Sequence, residues 1–131
     1  MTEQGYQSKI IKAIESRGGH VINGQYTRAG EADLQIGYPV YPCEEDDLDE
    51  LVLRYLAVEV KTEKDWHRVM KCLNLIVADG VEQYQIRQDV KGLKPHEPLQ
   101  ITKINSVRRK GGLAIIAWSF DQVEQYIKDN T

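Results

Sequence analysis

The chain has little of what small proteins use as external braces. Its 131 residues include two cysteines, Cys43 and Cys72, with no CxxC pair or Cys/His cluster. That excludes a disulfide framework and a zinc site and leaves two ordinary reduced thiols. No apolar run approaches the roughly 18 residues of a membrane span. The opening MTEQGYQSKIIKAIESRGG lacks the apolar centre of a signal peptide, so a cytoplasmic protein without membrane contact is expected. A G-x-S-x-G elbow, a P-loop and an HExxH helix are all missing, and His20, His67 and His96 are too scattered for a one-helix metal motif. What is present is ordinary for a globular chain: 41% hydrophobic and 28% charged residues, without repeats. A single domain over residues 1–131 is expected, burying roughly two thirds of its unfolded surface.

The net charge of -3 is unevenly spread. CEEDDLDEL holds six acids, Glu44, Glu45, Asp46, Asp47, Asp49 and Glu50, and without them 17 basic residues face 14 acidic ones. The run lacks the glycine and spacing of an EF-hand and reads as a solvated loop, about residues 39–50. The remaining basic excess, with a cluster at Arg108, Arg109 and Lys110, permits a nucleic-acid partner.

Apolar periodicity predicts a first helix from about Thr2 to Arg17 on Tyr6, Ile10, Ala13 and Ile14, stopped by Gly18 and Gly19. At 100° per residue Glu3 falls within that apolar arc, and a carboxylate on a buried face needs a reason. His20–Tyr26 and ADLQIGY read as two strands, and LVLRYLAVEVK as a long central third. Pro39, Pro42 and the acidic run form the loop between the last two. From Glu63 to Asp79 the residues Trp66, Met70, Leu73, Ile76 and Val77 fall at helical spacing, with Gly80 as the stop. QYQIRQ is a possible short strand before the loop-like GLKPHEP. LQITKINSVRRKGG then reads as an amphipathic helix with Leu99 or Ile101, Ile104 and Val107 inside. LAIIAWS reads as a buried strand, and a last helix on Val123, Tyr126 and Ile127 is capped by Ser119 or Asp121. Strands separated by helices define an α/β class.

Side chains two apart on a strand share a face, so Glu59 and Lys61 project together from the end of the third strand. If the second strand returns alongside it, Asp33 and Glu59 converge. Two carboxylates that close repel unless a cation lies between them. Mg²⁺ suits such a place, taking one or two carboxylates plus water and phosphate oxygens, and Asp33, Glu59 and the Val60 carbonyl are its candidate ligands. Lys61 beside it would orient the attacking water or neutralise charge on a phosphodiester in hydrolysis. Taken alone, E-x-K at a strand end is the pattern of a surface ion pair, Asp33 that of a turn residue, and Glu3 that of a first-turn acid facing the helix dipole.

The joint order of GEADL (Gly30–Leu34), AVEVKT (Ala57–Thr62) and LQITKINSVRRKGGLAIIAWSFDQVEQYI (Leu99–Ile127) resembles the PD-(D/E)xK nuclease superfamily, and within it the VRR-NUC branch common in phage and DNA-repair nucleases. The resemblance implies a restriction-endonuclease-like αβββαβ(α) core, a mixed sheet flanked by helices, in a phage or bacterial host cytoplasm. It also implies a Mg²⁺-dependent endodeoxyribonuclease, with Mn²⁺ able to substitute. Asp33 and Glu59 become its metal-binding acids, Lys61 its catalytic lysine, Gln100 its helix glutamine and Glu3 its first-helix acid. Ala32 stands where the family often has proline, and the stretch from Lys61 to Gln100 is longer than in minimal members, which admits Gln83 or Gln85 as rivals. That insertion, about residues 63–98, is a candidate surface for substrate recognition or dimerisation, with Trp66, Met70 and Leu73 taken as core. Arg28, Lys64, Arg108 and Arg109 are candidate phosphate contacts. By analogy with related families, a homodimer acting on a Holliday junction or other branched DNA is the narrower expectation. The competing class is a catalytically silent nuclease-fold module that binds DNA or protein.

Overall fold

A computed structural model describes residues 1–23, 33–40 and 52–131. Its elements are α1 (Glu3–Ser16), β1 (His20–Asn23), β2 (Leu34–Val40), β3 (Val52–Val60), α2 (Glu63–Lys71), β4 (Leu73–Ala78), β5 (Val81–Ile86), α3 (Glu97–Arg109), β6 (Leu113–Ala117) and α4 (Phe120–Asn130). The main sheet runs β1-β2-β3-β6, antiparallel except for the parallel pairing of β3 with β6. This is an α/β architecture with a mixed sheet flanked by helices.

The run Leu56–Val60 is buried throughout because both faces of β3 are covered, which is why it reads as continuous rather than alternating. Leu56, Val58 and Val60 pack with Leu34, Ile36, Ile10, Ile14, Val123 and Ile127, the side of α1 and α4. Ala57 packs with Val69, Ile101, Ile104 and Ile116, the side of α2, α3 and the β4–β5 hairpin. Period two along the strand therefore sends Glu59 and Lys61 toward α3. The acidic run and Gly30 lie outside the described residues.

The helix expected over Glu63–Asp79 ends at Lys71, and Leu73–Ala78 is instead the first arm of the hairpin. Asp79 (φ 55°) and Gly80 (φ 76°) both adopt left-handed backbone between paired Ala78 and Val81, the two-residue turn for which Asp-Gly is the favoured sequence. Helical spacing misled because Val77 is not core at all, being 75% exposed, and Ile76 is only half-buried. Trp66 and Met70 are only half-buried, whereas Leu73 is core. Pro39, expected in a loop, is within β2 opposite Leu53. It is tolerated because the β1 pairing reaches only as far as Gly37, so among the described residues no strand pairs with Pro39 on that side to miss its N–H. Of the alternatives in the last two helices, Ile101 is buried while Leu99 is exposed, and Ser119 is the cap, its hydroxyl accepting from the Gln122 N–H.

The free edge of β6 is closed by side chains rather than by a strand. The Ala114 N–H donates to the Tyr126 hydroxyl (3.1 Å), and Arg108 Nε donates to the Ala114 carbonyl (2.7 Å). The Tyr84 hydroxyl faces the Ile116 backbone, and Trp66 Nε1 donates to the Ile116 carbonyl (3.0 Å). Buried backbone groups at a sheet edge need such partners.

Candidate metal and catalytic site

Pairing of Leu34 with Val58 places Asp33, one residue ahead, across from Glu59. The two strand ends clasp each other: the Asp33 N–H donates to Glu59 Oε2 (3.2 Å), and the Val60 N–H donates to Asp33 Oδ2 (2.9 Å). The two carboxyl groups also hydrogen-bond one another. Glu59 is 1% exposed. Burial first, and then the Asp33 charge, push its pKa up to about 9. Burial also raises that of Asp33, against the opposing pull of the Val60 N–H, Glu59 and Lys61. At neutral pH the pair therefore retains a proton.

Lys61 is also buried, and its backbone N–H donates to the Ala117 carbonyl (3.0 Å), continuing the β3–β6 pairing. Its Nζ lies 3.0 Å from Gln100 Oε1 and 3.1 Å from Glu97 Oε2, both on the first turn of α3. Gln100 is thus the helix glutamine in contact with the lysine. The rivals are elsewhere: buried Gln83 donates to the Ala78 carbonyl and accepts from Arg109, and Gln85 is exposed on β5.

Glu97 is the site residue that sequence reasoning missed. Its carboxylate accepts from Arg68 Nη1 (2.7 Å), Arg68 Nη2 (2.9 Å) and the Lys94 N–H (2.6 Å) as well as facing Lys61. Burial raises its pKa, but the bonds from Arg68, the Lys94 N–H and Lys61 outweigh it and hold the group down at about 2. A signal existed in Pro98, since proline favours a first helical turn and would have moved the start of α3 back from Leu99 to Glu97.

Glu3 lies on the azimuth of Ile10 and Ile14 but ahead of the stretch where that face is covered. It is the exposed first residue of α1, about 10 Å along the axis from Ile10, where burial begins. It still stands near the pair: partial burial and then Asp33 raise its pKa, and it feels Lys61, Asp65 and Lys94. Lys64 is exposed on the first turn of α2, at the same end as the site. Arg28 lies outside the described residues. Arg109 is exposed and donates to Gln83 Oε1 (3.2 Å). It lies roughly 14 Å along α3 from Gln100.

Arg108 does not offer a phosphate contact. It is 4% exposed, bonded to the carbonyls of Ala114 and Glu82 and stacked on the rings of Tyr84 and Tyr126. It falls on the inward face of α3 with Ile101 and Ile104. Arg108→Met should lower stability by about 2–4 kcal/mol in urea denaturation, because two carbonyl oxygens lose their donor.

Among the described residues no three His, Cys, Asp or Glu side chains form a ready metal cage. The pair of Asp33 and Glu59 nevertheless fits Mg²⁺, which is commonly held by one or two carboxylates and completes its shell with water and phosphate oxygens. A groove of about 950 Å³ lined by Trp66, Met70, Leu75, Ile115 and Tyr126 holds none of Asp33, Glu59 or Lys61. No described helix is long and apolar enough to cross a membrane. Comparison with protein-family models, curated proteins and solved structures finds no match to the chain.

Proposed function

We propose that the chain is a Mg²⁺-dependent endodeoxyribonuclease of the PD-(D/E)xK, VRR-NUC-like type. The observation that carries the reading is the convergence of Asp33, Glu59 and Lys61, 26 and 28 positions apart, on one face at the end of β3. The element order, α1, then β1 to β3, then α3, β6 and α4, with α2 and the β4–β5 hairpin placed between β3 and α3, fits a restriction-endonuclease-like core with an insertion over about residues 63–98. Asp33 and Glu59 would hold the ion, with the Val60 carbonyl beside them and Glu3 at the exposed rim. Mg²⁺ or Mn²⁺, when bound, supplies Lewis acidity that polarises the scissile phosphate and acidifies water.

The chain's own groups do the rest. The N–H groups of Val60 and Asp33 fix the two carboxylates before substrate arrives. The Lys61 ammonium offers positive charge where negative charge develops on the phosphate as water attacks and the ester oxygen leaves. The first turns of α1, α2 and α3 carry Glu3, Lys64 and Gln100 around it, so three helix N-termini direct partial positive charge at the same region. Lys64, Arg28 and Arg109 remain the candidate contacts to flanking phosphates. Exposed Leu75 and Val77 on β4 support a second copy, and two such sites in a homodimer suit a branched DNA.

The test is a panel of labelled duplex, flap, nicked and four-way DNA with Mg²⁺, against EDTA. Cleavage that requires the ion and disappears in Asp33→Ala and Lys61→Ala is expected. Activity that survives both substitutions sinks the reading. Tight DNA binding in EDTA, with no heat of metal binding and no cleavage, supports a silent nuclease-fold module instead.

A further inference from the structure

We propose that Glu97 is a positioning residue that fixes where the Lys61 ammonium stands. The inference deepens the nuclease reading and rests on it for the role of Lys61. An ammonium has three N–H donors and no acceptor. Glu97 and Gln100 accept from it at 3.1 and 3.0 Å, and being three positions apart on one helix they share a face. Two donors are thereby committed to α3, and only one direction is left toward the carboxylates of β2 and β3.

Glu97 is suited to this because it does not move independently. It is 1% exposed, gripped by both Nη atoms of Arg68 and by the Lys94 N–H, and it begins a helix whose next residue is proline. Arg68 comes from α2, the helix that follows Lys61 in the chain. The carboxylate thus ties the start of α3 to α2 and to the end of β3 through a single group. A planar guanidinium fork leaves a carboxylate little rotational freedom, so the oxygen offered to Lys61 has a set place. Displacement of a reacting or charge-stabilising group by about 1 Å is enough to lower a rate on the order of 100-fold.

Two readouts test the assignment. The first is steady-state cleavage of labelled four-way and duplex DNA in Mg²⁺ by Glu97→Gln. The second is the acetylation rate of Lys61 by acetic anhydride in DNA-free protein, followed by mass spectrometry. Expected for the variant are a kcat about 10- to 100-fold lower with KM within about twofold of wild type, and Lys61 acetylation about 10-fold faster. Either readout left at the wild-type value overturns the proposal. If the wild-type protein cleaves nothing, the nuclease reading fails, while acetylation alone still decides whether Glu97 places Lys61. If circular dichroism shows that Glu97→Gln does not fold, Glu97→Asp serves in its place. It keeps a carboxylate for Arg68 but draws it back from Lys61 by one methylene, and wild-type kcat or acetylation in that variant again overturns the assignment.

Discussion

Glu59→Gln is expected to melt at a higher temperature than the wild-type protein in EDTA at pH 8 and, on the proposed nuclease reading, to lose DNA hydrolysis. Both halves follow from one cause. Folding buries Glu59 against Asp33 and pushes its pKa to about 9, so at pH 8 the folded chain must take up a proton that the unfolded chain lacks. Glutamine carries the neutral form permanently. Its amide oxygen can accept from the Asp33 N–H as Oε2 does, and its NH₂ can donate to the Asp33 carboxylate in place of the shared proton. Removing the proton uptake should stabilise the metal-free protein by about 2–4 kcal/mol. That is on the order of 10 °C for a domain of this size. The same substitution removes a charge from the proposed cation site, and on that reading cleavage should fall by about 1000-fold or more, the upper scale seen when a group that stabilises developing charge is lost. A variant that melts lower than wild type in EDTA would show that Glu59 is not held under strain by Asp33.

The second large effect is in the pH dependence of wild-type stability and its reversal by metal. Glu59 has a folded pKa above its unfolded value of 4.5, so the native state binds more protons throughout the interval. Its stabilising contribution is complete below about pH 4.5 and is lost as pH rises toward about 9. Asp33 and Glu3 are shifted in the same direction. At about 1.4 kcal/mol per pH unit for one such group, EDTA-treated protein should lose roughly 3 kcal/mol between pH 6 and pH 8, read as a falling melting temperature. Glu97 has the opposite sign: its folded pKa of about 2 contributes stability above pH 4.5 that disappears as pH falls toward 2. The metal-free protein should therefore be most stable near pH 5. If Asp33 and Glu59 hold Mg²⁺ as proposed, millimolar Mg²⁺ should stabilise the native state by binding the deprotonated pair, so its effect should grow with pH and flatten the alkaline limb. An equal Mg²⁺ shift at pH 5 and pH 8 would remove Asp33 and Glu59 as the binding groups.

The site's central pair was legible because strand physics is local. Period two put Glu59 and Lys61 on one face, and a hairpin-like return of the second strand put Asp33 opposite Glu59 without knowledge of the intervening loop. Glu97 was missed for the converse reason: Pro98 could have marked it as the start of a helix, but the partners that bury its carboxylate, Lys61, Lys94 and Arg68, come from three parts of the chain. Arg108 misled because a basic cluster in sequence was read as a basic patch in space, although α3 turns its inward face through that residue. The hairpin was missed when helical spacing was given more weight than Asp79-Gly80, the local signal that the backbone obeys.

The side chains along β6 also bear on how the chain avoids aggregation. Trp66, Tyr84, Arg108 and Tyr126 come from α2, β5, α3 and α4, so the edge is covered only once the helices on either side of β6 and the more distant α2 and β5 have all docked. As the chain leaves the ribosome, β6 is made before the tyrosine that closes its Ala114 amide. Until α4 docks, that backbone presents donors and acceptors to any other unfinished strand. Tyr126→Phe removes this partner while sparing the ring, and conditions that undock α4 give the protein a route to intermolecular pairing that the native fold denies.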